Sequence, residues 1–210
     1  MEVAPRRRAA PLPWLKPSLL VGGLSPLLSM GYRAFKGELG ANPISSALNQ
    51  LGLLALIFLI GGLALTPLKL VFGWTWPVRI RRWVGVMAFG YACLHLLTYA
   101  VLDQQLALGA IANDILKRKF IFVGFAAWLL LVPLAVTSTD AMVKRLKFKR
   151  WQRIHTLAYL TAPLGVVHFY LRVKKDVTEP LVYGALLALL LGVRVIDKAR
   201  KRAAKGAQAA

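Results

Sequence analysis

The stretch RRWVGVMAFGYACLHLLTYAVLD, residues 81–103, decides the fold. Two arginines open it, and no Lys, Arg, Asp or Glu stands between Arg82 and Asp103. About 20 such residues are what an α-helix needs to cross the hydrocarbon core of a bilayer. A second stretch, KRWQRIHTLAYLTAPLGVVHFY over residues 149–170, repeats the construction: basic residues first, then an apolar run. The first stretch carries His95 and the second His155 and His168, which are the only histidines among the 210 residues. Histidine is expensive in hydrocarbon, so its presence there points to a site. It is also the commonest metal ligand and a usual axial ligand of haem iron.

Outward from these two stretches the pattern continues. The chain is 58% hydrophobic, against about half in a soluble domain. Apolar runs fall at residues 17–32, 45–65, 83–102, 120–137, 154–171 and 181–196. They predict an all-α integral membrane protein: a single six-helix transmembrane domain spanning residues 1–210. The basic N-terminus followed by an apolar run is also the pattern of a signal peptide. Gly22, Gly23 and Pro26 interrupt the run and no small-x-small cleavage site follows, so it is read as a retained first span. The connections, 66–82 and 103–119 being the longest, are read as loops. None is long enough to fold alone, and neither a P-loop nor a nucleotide-binding glycine motif is present.

The net charge of +20 raises nucleic acid as a partner, but the basic residues cluster between the apolar runs. With the N-terminus inside, the 28 Lys and Arg divide into 20 cytoplasmic and 8 outer. The positive-inside rule then places both termini in the cytoplasm, with lipid rather than nucleic acid as the surroundings. The single Cys93 excludes an internal disulfide and a CxxC metal site.

In this topology the third and fifth spans are parallel. His95 lies 13 positions past Arg82 and His168 lies 15 past Arg153, so each sits about 20 Å from the cytoplasmic boundary. A bis-histidine haem fits between them near the outer leaflet. His155 sits near the cytoplasmic face with no histidine at its own depth. Arg81, four turns before His95 on the same helix face, lies there instead, as a partner for a haem carboxylate or simply as a topology charge. Thirteen residues set His155 and His168 about 140° apart around an ideal helix, and Pro163 between them is expected to kink it. Tyr99 and Tyr159 each follow a histidine by four and share its face. They line a haem pocket or serve as interfacial aromatics. The residues alone also suit a haem-free transporter whose histidines carry protons or pack.

The patterns RR-hhG-x9-H and RhH-x12-H resemble the histidine helices of the MsrQ (YedZ) family, within the ferric reductase and NADPH oxidase membrane-domain superfamily. The resemblance covers all six spans. Superfamily members usually carry four histidines, two on each of two helices; here Arg81 occupies the place of the fourth. The resemblance implies one or two b-type haems and an associated FMN. It implies electrons drawn from the quinone pool, or from a separate cytosolic flavin reductase, across the bacterial inner membrane. It makes the acceptor a periplasmic molybdopterin methionine sulfoxide reductase, MsrP, which repairs oxidised envelope proteins and holds the substrate-reducing site. A ferric or cupric reductase is the alternative within the superfamily.

Overall fold

The computed structural model describes residues 12–209. Arg6, Arg7 and Arg8, counted above among the cytoplasmic charges, lie outside the described residues. The described residues form helices α1 (Leu15–Phe35), α2 (Pro43–Phe72), α3 (Arg81–Leu97), α4 (Leu108–Lys117), α5 (Lys119–Val136), α6 (Asp140–His155), α7 (Ala158–Arg172) and α8 (Thr178–Ala209). They contain no strand. Five helical stretches are long and apolar enough to cross a membrane: α2, the run from Pro77 through α3 to Asp103, α5, α6 with α7, and α8. Large apolar side chains such as Ile57, Leu129, Val167 and Leu189 point outward, as lipid-facing residues do. The protein is an integral membrane helical protein. The first expected span is helical as α1, but it is not among the five apolar enough.

Local chemistry sets the helix ends. Asn42 caps α2, its side chain accepting from the Ser45 amide at 3.0 Å, and Pro43 takes the first turn, where no amide partner is needed. Gly73 ends α2 in the left-handed conformation (φ 71°), which a glycine adopts without strain. The helix therefore runs through Pro67 to Phe72, seven residues past the expected 65.

Three expectations are corrected. Residues 103–119 are not only a loop: Leu108–Lys117 form α4, a short helix too amphipathic to show as an apolar run. Gln105 (φ 49°) and Leu106 (φ 61°) turn the chain into it. The basic connection 144–153 is helical as α6, broken at Lys147 (φ 60°, ψ 147°). The fifth span is not one helix from 154. The backbone breaks at Thr156 and Leu157, whose amides reach back only three residues, to Arg153 and Ile154. His155 thus ends α6 while His168 lies on α7, so the 140° separation computed for one continuous helix does not apply. The break falls before Pro163, which sits inside α7.

The core lies among α2, α7 and α8, where Leu56, Ile60 and Leu190 form one cluster and Leu63, Ala162 and Leu187 another. Small buried residues, Ala162 and Thr161 on α7 and Ala88 on α3, let the helices approach closely, which is how packing is gained where lipid is as apolar as the protein. Helix α3 packs against α2, and α7 against α5. These two pairs face each other and enclose a cavity.

Candidate functional site

The cavity has a volume of about 390 Å³ and is lined by α2, α3, α5 and α7, with Ile111 and Ile115 of α4 across one end. That volume is within the range of about 300–1,000 Å³ typical of cofactor pockets. His95 and His168 both line it. Their ring centres are 6.1 Å apart and their planes are 80° to one another.

Each ring is held by the helix beside its own. The His95 Nδ1 lies 2.9 Å from the Leu48 carbonyl oxygen on α2. The His168 Nδ1 lies 2.7 Å from the Phe120 carbonyl oxygen on α5. A carbonyl only accepts, so Nδ1 carries the proton in each case and Nε2 keeps its lone pair. This is how a ligating histidine is usually oriented by its surroundings. The two seats match. Four residues after Leu48 comes Gly52, and four after Phe120 comes Gly124. A β-carbon on Gly52 would lie 3.2 Å from the His95 ring; one on Gly124 would lie 2.6 Å from the His168 Nδ1. Each glycine is a notch that lets an imidazole rest on helix backbone within reach of the carbonyl one turn earlier. The signal is present in the sequence as LNQLG and FIFVG, but its meaning lies in a pairing with another helix.

The arrangement fits haem. An imidazole nitrogen binds its metal at about 2.0 Å. The ring centre lies about 1.1 Å further, from the size of a five-membered ring with bonds near 1.33 Å. Two imidazoles sharing one iron would then have their centres about 6.2 Å apart, against the 6.1 Å found here. Among the described residues no three His, Cys, Asp or Glu converge on a point, so a metal held by protein alone has too few ligands. Haem brings four of its own and needs two.

The remaining sequence candidates divide between the two ends of the bundle. Tyr99 lines the cavity, and its hydroxyl donates to the Asp114 carboxylate at 2.9 Å, tying α3 to α4. It stands in a wider π-type turn, Thr98–Asp103, that directly follows α3. His155, Tyr159 and Arg81 do not line the cavity. The His155 Nε2 is 3.2 Å from the Thr137 hydroxyl, and its ring lies on Trp151 with centres 4.0 Å apart. Arg81 is within electrostatic reach of both His155 and Arg194. The Tyr159 hydroxyl accepts from Arg194 at 2.5 Å.

Two arginines that the charge pattern treats as topology alone prove to be internal partners. Arg194 reaches from α8 to the Leu63 carbonyl on α2 at 2.5 Å and lies over the Tyr159 ring. Among the described residues its Nε is buried without a hydrogen-bond partner. Arg172 lines the cavity and donates to the Asn49 side chain. Cys93 is occupied in packing, its sulfur accepting from the Trp128 indole at 3.4 Å.

Membrane-length helices around a cavity lined by two histidines define an integral membrane protein with a candidate cofactor site. Residues 47–166 match the family of ferric reductase-like transmembrane components, from α2 into α7. The chain is 53% identical over 185 residues to the protein-methionine-sulfoxide reductase heme-binding subunit MsrQ of Rhodospirillum rubrum, covering 88% of this chain and 89% of that protein. It is 45% identical to the MsrQ of Deinococcus radiodurans, over 92% of this chain and 96% of that one. It is 44% identical to that of Azospira oryzae, over 95% and 84%. No solved structure matches. The chain belongs to the MsrQ family of the ferric reductase-like transmembrane proteins.

Proposed function

We propose that this chain is the haem b-carrying membrane subunit of a methionine sulfoxide reductase system, passing electrons across the bacterial inner membrane. The observation that carries the reading is the pair His95 and His168, 6.1 Å apart and each fixed by a backbone carbonyl. The names of the relatives, heme-binding subunits, support it. Held by His95 and His168, haem b would supply a reversible one-electron carrier. The chain's own residues fix where it sits. Leu48 and Phe120 hold the imidazole tautomers, Gly52 and Gly124 leave space for the rings, and apolar residues of α2 and α5 exclude water.

In this reading α1 is the first of six spans, both termini are cytoplasmic and α4 lies on the periplasmic side. The acceptor is an MsrP-like molybdopterin reductase docking at that side. The donor is the quinone pool or a separate cytosolic flavin reductase, with FMN as a further cofactor of the system. His155 and Arg81, with Tyr159 and Arg194, mark a second cofactor level near the cytoplasmic face. Their mutual proximity and the two guanidinium charges among them support an anionic ligand group there.

The test uses purified protein in lipid nanodiscs. A b-type spectrum is expected, reduced by a quinol and reoxidised by an MsrP-type reductase with methionine sulfoxide. Reoxidation by ferric or cupric chelates alone favours the metal reductase. A colourless protein refutes the haem reading.

A further inference from the structure

The cavity has two cations in its lining, Arg118 and Arg172, and they differ in their partners. Arg118 is already paired, its Nε lying 3.1 Å from the Asp114 carboxylate one turn earlier. Arg172 has no carboxylate within ion-pair distance among the described residues. Its hydrogen bond goes to the neutral Asn49 side chain on α2. Glu179, in the first turn of α8, lies within electrostatic reach but does not close to an ion pair. Arg172 follows His168 by four on α7, so its guanidinium stands one turn from the imidazole on the same face. A partly buried cation that faces a cavity with only the Asn49 amide and the Phe169 ring as partners favours an anion as the cavity's occupant. Asn49 orients it: the amide oxygen takes one N–H of the guanidinium and leaves the others of its planar fork free.

Haem carries two carboxylate side chains on one edge of its ring. We propose that Arg172, oriented by Asn49, receives a haem carboxylate, so that the ring enters the His95–His168 gap with its acidic edge toward α4. The proposal rests on the haem reading above and adds which way round the ring sits and which residue fixes it. Arg172 is a positioning residue that also biases the site toward the reduced state, because a carboxylate left without its cation places net negative charge beside the iron.

The test compares wild type, Arg172→Gln and Arg172→Lys as full-length protein in nanodiscs, by optical redox titration and resonance Raman of the carboxylate bending band. The glutamine variant is expected to keep its low-spin spectrum, since both histidines remain. At a fixed poise its ratio of reduced to oxidised haem should fall roughly tenfold. That is what one charge removed at about 12 Å gives at an effective dielectric of about 20, and it corresponds to about 59 mV for one electron. The lysine variant should recover most of that ratio but shift the Raman band, because an ammonium lacks the two-pronged fork. An unchanged ratio in Arg172→Gln overturns the proposal. If that variant does not accumulate, an unchanged Raman band in Arg172→Lys overturns it equally. Wild-type protein without haem overturns the underlying reading, whereas normal haem with an indifferent Arg172 overturns this proposal alone.

Discussion

Alanine at position 124 separates helix propensity from the geometry of the histidine seat. In the interior of a helix Gly→Ala is favourable by about 1 kcal/mol, because alanine has less backbone freedom to lose. At Gly124 the added β-carbon would lie 2.6 Å from the His168 Nδ1, 2.8 Å from Cε1 and 3.1 Å from Cγ. Ordinary contact begins near 3.4 Å, so the ring must retreat by about 0.8 Å. The retreat is away from α5, and it stretches the 2.7 Å bond to Phe120 toward the limit of a hydrogen bond. Overpacking of this kind costs about 1–3 kcal/mol, and the weakened hydrogen bond about 1 kcal/mol more. The sum exceeds the propensity gain and falls on the imidazole that must stay in line with His95. Gly124→Ala is therefore expected to lower haem content roughly tenfold, measured as haem per purified polypeptide, while circular dichroism shows the helices intact. Full haem content with a raised melting temperature would refute the notch reasoning and leave propensity in charge.

Three further outcomes follow from the same geometry. Gly52→Ala should be milder, because its β-carbon would lie 3.2 Å from the His95 ring and a shift of a few tenths of an ångström suffices; haem content should fall by less than threefold. Tyr99→Phe removes the hydroxyl that donates to Asp114 and should cost about 1 kcal/mol, read as faster hydrogen exchange in α4 while α2 and α5 keep their protection. The 80° between the two imidazole planes, fixed by the Leu48 and Phe120 carbonyls, should give oxidised protein the strongly anisotropic low-spin EPR signal of crossed axial ligands; a rhombic signal would show that the rings turn on binding.

Which features were legible in the sequence follows from what each depends on. Long apolar helices need only their own composition, so α2, α5 and α8 stand out as uninterrupted runs. Helix α4 does not, because ten amphipathic residues on the bundle's edge make no run. His95 and His168 are conspicuous as polar residues in apolar surroundings, and their depth along parallel spans suggests that they meet. The break at Thr156 and Leu157 is different. No proline or glycine marks it, so His155 looks like part of the helix that carries His168 although it closes the preceding one. Gly52, Gly124, Asn49 and Leu63 matter only through partners on other helices. A sequence pattern on one helix carries no record of such pairings, which is why Arg172 and Arg194 pass there for ordinary topology charges.

The central claim is that His95 and His168 together hold one haem. Its most direct measurement is the low-spin optical and EPR spectrum of purified His95→Ala and His168→Ala proteins beside wild type and His155→Ala. Each of the first two substitutions should abolish the same low-spin species, and His155→Ala should leave that species in place. Retention of the full wild-type spectrum in both His95→Ala and His168→Ala would contradict the account.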